Sequence, residues 1–196
     1  MNWTGSVDFT PNILLSGGPG VGKTTLAKCL FNELGVDDSD IRYVNGSHTN
    51  GVDEIRSLTR FVETMPIGNY RYVLLDEADY LSVNAQAALR NMIEEYNEGC
   101  RWILTCNYPN KIIPALHSRT QGFHIETLDR DRFIARAAEI LITEGVDINE
   151  ENFEILDDYV TATYPDLRKC INLLQQNCAD GKLNRPSRSG GSSADY

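Results

Sequence analysis

Residues 17–25 read Gly-Gly-Pro-Gly-Val-Gly-Lys-Thr-Thr and decide the fold of this chain. An apolar stretch, residues 13–15, precedes them, and a segment with helical periodicity, residues 26–34, follows them. A strand, a glycine-rich loop and a helix in this order are typical of a phosphate-binding P-loop. The stretch therefore predicts a strand–loop–helix unit that binds a nucleoside triphosphate.

Each residue type in this loop suits the binding of an anion. Gly17, Gly20 and Gly22 lack Cβ atoms, so successive backbone N–H groups can turn toward a phosphate, and the following helix adds the positive end of its dipole. Lys23 can reach the β- and γ-phosphates of ATP, and the Thr24 hydroxyl can bind Mg²⁺. The predicted nucleotide-binding residues of the loop are Gly17, Gly18, Pro19, Gly20, Val21, Gly22, Lys23, Thr24 and Thr25.

A second motif, Leu-Leu-Asp-Glu-Ala-Asp at residues 74–79, places two adjacent carboxylates directly after an apolar run. Open α/β sheets bind their ligands at the carboxyl ends of the strands. We expect Asp76 to hold Mg²⁺, directly or through water, and Glu77 to polarise the water that attacks the γ-phosphate. A charged surface turn is the alternative for this motif taken alone, and the neighbouring P-loop disfavours it.

Strand-like and helix-like segments alternate through the first two thirds of the chain. The predicted strands cover residues 12–16, 41–45, 71–76, 101–106 and 122–126. The predicted helices between them cover residues 23–34, 52–65 and 84–96. This alternation predicts an α/β fold with a parallel five-stranded sheet and helices on both of its faces.

From residue 129 onward the pattern is helical only. Predicted helices cover residues 130–144, 149–161 and 165–178. Asn149 suits an N-cap, and Pro165 suits the first turn of a helix. We therefore expect two domains, an α/β domain at residues 1–128 and a small all-helical domain at residues 129–180.

Composition limits the class of protein. The 196 residues are 41% hydrophobic and carry a formal net charge of −10, which argues against broad, nonspecific affinity for nucleic acid. No apolar run approaches the ~20 residues of a membrane helix, and the N-terminus lacks the features of a signal peptide. Five cysteines without a Cys-x-x-Cys pair predict free thiols in a reducing cytoplasm. Residues 181–196 contain Gly, Ser and Arg with almost no apolar side chains, which predicts a disordered tail.

The P-loop and the acidic motif together resemble those of the AAA+ ATPases. Asn107, in Thr-Cys-Asn-Tyr at the end of the fourth predicted strand, matches the sensor 1 position of that family. The resemblance implies that its amide binds the γ-phosphate or positions the attacking water, whereas an isolated Asn in this place more often only closes a strand into a turn. It also implies an AAA+ P-loop sheet followed by a helical lid, which residues 129–180 would form.

Further strings resemble the clamp loaders of DNA replication, and in particular the replication factor C small subunits. These strings are Val-Asn-Gly-Ser at 44–47, Gln-Ala-Ala-Leu-Arg-Asn-Met-Ile-Glu at 86–94, Leu-His-Ser-Arg-Thr at 116–120 and Pro-Asp-Leu-Arg-Lys-Cys-Ile-Asn-Leu-Leu-Gln at 165–175. The compact form with its Asn-Gly-Ser run is most similar to the clamp-loader ATPase subunits of T-even-like bacteriophages. The resemblance covers residues 9–178.

This resemblance implies an oligomeric ATPase that uses ATP and Mg²⁺ to load a sliding clamp on primer-template DNA. Arg119 would be an arginine finger that acts on ATP held by a neighbouring subunit, because a planar, permanently charged guanidinium can form two parallel hydrogen bonds to the phosphoryl group. Arg168 would be sensor 2 and would couple the nucleotide state to the angle between the domains. An exposed structural charge is the alternative for either arginine taken alone. The expected catalytic residues are Lys23, Glu77, Asn107 and Arg119.

The resemblance also implies DNA contacts at the N-termini of two helices. The matching hydrogen-bond donors are Gly51, Ser82 and Asn84, and Arg56 would add positive charge near the phosphates. Arg90 either links the second of these helices to the acidic motif or is an ordinary helix charge.

The sequence departs from the clamp loaders in three places. Only residues 3–10 stand where family members carry several dozen residues that help to form the adenine pocket, and no helical collar follows the lid. Thr120 replaces the cysteine of the Ser-Arg-Cys motif. These departures fit a fragment, a split-gene product or a minimal variant.

Two other classes of function stay open on the sequence. One is a different AAA+ machine, such as a helicase loader or a protein-remodelling ATPase, with the same ATP site and another cargo. The other is an interaction module that uses a truncated nucleotide pocket as a folded subunit interface and does not hydrolyse ATP.

Overall fold

Runs of apolar residues form a five-stranded sheet in the first part of the chain. The computed structural model describes residues 10–48, 51–179 and 181–185. The five strands are β1 Ile13–Ser16, β2 Ile41–Asn45, β3 Arg71–Asp76, β4 Cys100–Cys106 and β5 Gln121–His124. They pair in the order β2-β3-β4-β1-β5, and every pairing is parallel. The predicted parallel sheet is confirmed.

Helices cover both faces of this sheet, as the sequence predicted. They are α1 Lys23–Glu33, α2 Val52–Ser57, α3 Thr59–Val62, α4 Val83–Glu95 and α5 Pro114–His117. Successive strand side chains point to opposite faces, so Leu74 packs with α1 through Phe31, whereas Val73 and Leu75 pack with the core formed by the other helices. Because β3 and β4 are buried throughout, apart from the partly exposed Asp76 at the end of β3, these central strands are apolar on both faces.

The predicted helix at residues 52–65 is wrong in its continuity and in its end. It is divided into α2 and α3 at the buried Leu58, whose N–H bonds the carbonyl three residues earlier instead of four. The helix then ends at Val62, because Met65 precedes Pro66 and is biased away from the helical conformation. The Arg71 guanidinium donates to carbonyls beyond the helix, at 3.1 Å to Thr64 and 2.6 Å to Met65. The carbonyls that Arg71 contacts have no intrahelical partner, so this contact from the start of β3 holds the segment after the helix in place.

The chain divides into two compact units, Met1–Glu126 and Thr127–Tyr196. The second unit holds the helices α6 Arg130–Thr143, α7 Glu150–Thr163 and α8 Leu167–Asn177 around a core of its own. Asn149 caps α7 as predicted, with its side chain accepting from the Asn152 N–H at 2.9 Å. Pro165 is not in the first turn of α8, because the Asp166 side chain is the N-cap and accepts from the Lys169 N–H at 3.0 Å.

The predicted disordered tail and the expected absence of strands after residue 129 both need correction. Two short antiparallel strands, β6 Cys178–Ala179 and β7 Lys182–Leu183, pair at the end of the second unit. Leu183 is buried in the core of that unit, since it supplies an apolar side chain just past the glycine turn. The rest of the predicted tail, residues 186–196, lies outside the described residues, as do residues 3–9 of the expected N-terminal segment.

The cysteines of the described chain are all free thiols. Burial raises the pKa of Cys100 to about 12, so this thiol stays protonated and unreactive at neutral pH. Within the same described ranges, no group of three or more His, Cys, Asp or Glu side chains could hold a metal ion. No described helix has the length and apolar character needed to cross a bilayer.

Asp40 should be one of the residues on which the stability of the first unit depends most. It is buried, pairs with the Arg71 guanidinium at 2.6 Å, and accepts from the backbone N–H groups of Ile67 and Gly68 at 3.0 and 2.7 Å. Asp40→Ala leaves a buried guanidinium and two N–H groups without this partner, and we expect it to lower the free energy of unfolding by about 3–5 kcal/mol. Urea denaturation followed by circular dichroism measures the change.

The matched control for this prediction is Asp53→Ala. Asp53 is fully exposed and lies 3.9 Å from Arg56, so its removal should leave the free energy of unfolding nearly unchanged. Equal losses of unfolding free energy in the two variants would contradict the role assigned to Asp40.

Candidate nucleotide-binding site

The predicted phosphate loop connects the carboxyl end of β1 to α1. A Cβ atom at Gly17 would come within 2.5 Å of the Ile125 carbonyl oxygen, so only glycine fits there without a shift of the backbone. Gly20 and Gly22 have φ angles of 74° and 95°, in the region that favours glycine. Gly22 caps α1 without a side-chain hydrogen bond, and the first turn of α1 contains no acidic residue. The first N–H groups of α1 are therefore suited to an external anion.

Lys23 joins this loop to the end of β4. Its Nζ atom donates to the carbonyls of Gly17 and Gly18 at 2.9 and 2.7 Å and to Asn107 Oδ1 at 2.8 Å. The side chain is buried, so its positive charge lies inside the loop. The structure thus brings together two residues, Lys23 and Asn107, that the sequence placed in one site although they are 84 positions apart.

Thr24 and Asp76 form the second contact between the loop and the sheet. The Thr24 hydroxyl lies 2.9 and 3.0 Å from the two carboxylate oxygens of Asp76. Thr105, at the end of β4, donates its hydroxyl to the same carboxylate. Hydroxyl and carboxylate oxygens are the hard donors that Mg²⁺ prefers, so Thr24 and Asp76 fit the predicted metal site in chemistry and in position.

Glu77 has an unusual backbone conformation. Its φ and ψ angles are 57° and 45°, and its N–H donates to the Thr105 hydroxyl oxygen at 3.1 Å. Gly46, directly after β2, packs so closely behind it that an added Cβ would lie 2.6 Å from the Glu77 carbonyl oxygen. The Gly46 N–H also donates to the Asp76 carbonyl at 2.8 Å. The backbone of the predicted metal ligand Asp76 and of the predicted catalytic residue Glu77 is thus held from both neighbouring strands.

The segment after Asn107 is fixed by a residue of the acidic motif. Asp79 is buried, and its Oδ2 atom accepts from the Tyr108 N–H at 3.2 Å. Cys106 lies beside it, and burial raises the pKa of this thiol to about 11, with the Asp79 carboxylate adding to the effect and Lys23 opposing it. Cys106 is therefore a neutral packing residue at neutral pH and no nucleophile.

Arg119 lies at the edge of the sheet opposite to the phosphate loop. It precedes β5 at the amino-terminal edge, and its carbonyl accepts from Asn12 Nδ2, just before β1, at 3.4 Å. The phosphate loop follows the other end of β1, a strand of four residues that rise ~3.3 Å each. The Arg119 guanidinium contacts Glu94 of α4 and the Ala115 carbonyl. The structure therefore does not bring Arg119 to the phosphate loop of its own chain.

Most of the remaining predicted site residues lie at helix starts, whereas Arg56 lies in the last turn of α2. Gly51 precedes α2, and Ser82 caps α4 by accepting from the Ala85 N–H at 3.2 Å. Arg90, in the middle of α4, hydrogen-bonds its helix neighbour Asn91. The other DNA-contact candidates, Asn84 and Arg56, are exposed, and Arg168 lies in the first turn of α8 in the second unit.

Sequence reasoning missed Thr105, Asp79 and Gly46, which hold the predicted site residues in place. Thr105 could have been found from the strand order, because it is the second-last residue of β4 and lies next to Asp76 at the end of β3. Asp79 carried a weaker signal, an acidic residue three positions after Asp76. The close approach of Gly46 had no signal beyond the glycine itself.

Three curated archaeal relatives are similar to this chain over most of its length. They are the replication factor C small subunits of Methanococcus vannielii, 37% identical over 177 residues, of Sulfurisphaera tokodaii, 40% identical over 178 residues, and of Archaeoglobus fulgidus, 38% identical over 178 residues. Each alignment covers 88% of this chain and 54–55% of the relative. The chain thus spans about half the length of the curated relatives it matches.

Solved structures give the same fold at lower identity. A Thermotoga maritima RuvB variant superposes with a TM-score of 0.65 at 20% identity, covering 85% of this chain and 55% of the other. The model of the ATPase family associated with various cellular activities (AAA) matches residues 13–127, which hold both motifs and all five strands of the sheet. The chain therefore belongs to the ATPase family associated with various cellular activities.

Proposed function

We propose that this chain is the ATPase subunit of a DNA sliding-clamp loader, which uses ATP binding and hydrolysis to open the clamp and load it on primer-template DNA. The observation that carries the ATPase part is the convergence of Lys23, Thr24, Asp76 and Asn107 through direct hydrogen bonds at one edge of the sheet. The similarity to replication factor C small subunits supports the clamp-loader part. We also propose that this subunit is of the type found in T-even-like bacteriophages. Its DNA contacts are proposed to lie at Gly51, Arg56, Ser82 and Asn84.

The roles of the residues follow from their positions. The N–H groups of the loop and Lys23 bind the triphosphate, and Lys23 exchanges its carbonyl contacts for phosphate oxygens. Thr24 and Asp76 would hold Mg²⁺, which would neutralise negative charge on the triphosphate. Glu77 accepts a proton from the attacking water, and the Asn107 amide orients that water or the γ-phosphate. ATP therefore binds between the loop and the ends of β3 and β4.

Two arginines connect this site to movements of the assembly. Arg119 cannot serve the phosphate loop of its own chain from the opposite edge of the sheet, which supports a role on the nucleotide of a neighbouring subunit. Arg168 of α8 is proposed to reach the γ-phosphate of its own subunit when the lid closes. In this mechanism ATP closes the lid, adjacent subunits form a spiral around an open clamp, and DNA entry aligns Glu77, Asn107 and the neighbour's Arg119.

The experiment that tests the proposal is steady-state ATP turnover of the complex formed by this chain, with and without sliding clamp and primer-template DNA. Stimulation by clamp and DNA together is the expected result. Basal turnover that responds to neither would instead support a different AAA+ machine. A chain that fails to bind ATP would support the non-hydrolysing interaction module. The mass of the complex with ATP, measured in parallel, gives the number of subunits.

Thr105→Val should lower turnover through the Asp76 carboxylate and the Glu77 backbone that Thr105 holds. Valine keeps the shape but removes the hydroxyl that donates to Asp76 and accepts from the Glu77 N–H. We expect stimulated turnover to fall by about 10- to 100-fold, the usual loss when a residue that supports a metal ligand is removed. Phosphate release under saturating ATP measures it. Thr105→Ser keeps the hydroxyl and should retain most of the activity, so equal turnover in the two variants would contradict this role.

A further inference from the structure

The guanidinium of Arg119 is held on three sides by its own chain. Its Nε atom donates to Glu94 Oε1 at 2.6 Å, and its Nη2 atom donates to the same oxygen. Its Nη1 atom donates to the Ala115 carbonyl at 2.7 Å and to Ser118 Oγ at 3.0 Å. An arginine has five N–H donors, so these four contacts leave one N–H of Nη2 outside them.

The Glu94–Arg119 pair contributes little to folding. The side chains are 49% and 32% exposed, and ion pairs in contact with water have small net effects on stability. The helix that carries Glu94 is rigid by contrast. This helix, α4, has 13 residues and buries Leu89 and Ile93 in the core on one face of the sheet. The main effect of the Glu94–Arg119 pair is therefore on the direction of the guanidinium, because the pair adds little stability but ties the guanidinium to a rigid helix.

We propose that Glu94 is the positioning residue of Arg119. It fixes the side edge of the guanidinium, formed by Nε and Nη2, so that the remaining Nη2 N–H points to the partner that Arg119 serves. This arrangement offers that partner one donor instead of the two parallel donors expected from the sequence. This inference rests on the proposed function, in which that partner is the ATP of a neighbouring subunit. A long side chain that is already ordered loses less freedom when it engages a phosphate, and small errors in its direction reduce the rate strongly.

The test uses the assembled complex with clamp and primer-template DNA. Glu94→Ala should lower the stimulated kcat by about 10- to 100-fold and leave the KM for ATP and the mass of the complex unchanged. Glu94→Gln keeps an acceptor oxygen without the charge, and its kcat should lie between those of Glu94→Ala and wild type. Glu95→Ala is the matched control, since Glu95 is exposed on the same turn of α4, and its kcat should stay within about twofold of wild type.

A double variant shows whether Glu94 acts through Arg119. In an Arg119→Ala background, the further change Glu94→Ala should cause no additional loss of kcat, because the group that Glu94 positions is already absent. Losses that multiply in the double variant overturn the proposal. A stimulated wild type with an unaffected Glu94→Ala variant overturns this inference alone, whereas a wild type that clamp and DNA do not stimulate overturns the proposed function and this inference with it.

Discussion

Glu77→Gln should slow the stimulated ATP turnover of the complex by about 10²- to 10⁴-fold and leave ATP binding near the wild-type level. Glutamine has nearly the same shape but cannot accept a proton from the attacking water. The backbone contacts of this position, including the N–H bond to Thr105, do not depend on the side chain and should persist. Phosphate release gives the turnover, and equilibrium titration with ATP gives the affinity.

A matched amide substitution at an exposed carboxylate controls for the change in charge. Glu95→Gln removes the same charge from α4, away from the phosphate loop, and should leave turnover unchanged. If Glu77→Gln turned over ATP within about twofold of wild type, Glu77 would not be the general base. If it failed to bind ATP, its effect would be on the loop and not on the attacking water.

The sequence predicted those parts of the site that local chemistry determines. Gly22 has a left-handed φ, and Gly17 lies too close to the Ile125 carbonyl oxygen for a Cβ atom, so both positions require glycine. The nine residues of the loop could therefore be recognised from the sequence. Asp76 and Glu77 lie at the end of β3, a strand that is buried on both faces. The sequence of such a strand is a run of apolar residues. Strand order then brought these segments together, because the carboxyl ends of parallel strands share one edge of a sheet.

The parts that the sequence did not predict depend on contacts between distant segments. Arg71 holds the segment after α3 through the Thr64 and Met65 carbonyls, a contact that helical periodicity cannot reveal. Leu183 is buried through a short strand pair in a segment whose composition predicted disorder. The pairing of Glu94 with Arg119 joins positions 25 residues apart that are each ordinary surface charges when considered alone. Motif spacing therefore identified the predicted site residues, whereas the residues that hold them in place were identified only from the three-dimensional structure.

Arg119→Ala should remove most of the stimulated turnover of the complex, by about 10³- to 10⁵-fold, while ATP binding to an isolated subunit stays intact. The guanidinium lies at the edge of the sheet opposite to the phosphate loop, so its loss cannot disturb the binding residues of its own chain. Arg119→Lys keeps the charge but not the planar fork and should recover only a small part of the rate. Phosphate release with clamp and DNA measures all three proteins.

Complexes assembled from two kinds of subunit decide whether Arg119 acts on the neighbouring site. An Arg119→Ala subunit keeps Glu77, and a Glu77→Gln subunit keeps Arg119, so each variant alone should be inactive. A mixed complex should recover turnover wherever an Arg119→Ala site faces the arginine of a Glu77→Gln neighbour, because that site then has both Glu77 and an arginine. Mixing Arg119→Ala with a double variant that lacks both groups should restore nothing. If Arg119 acted within its own subunit, both mixtures would be inactive, since no chain in either of them carries both Glu77 and Arg119.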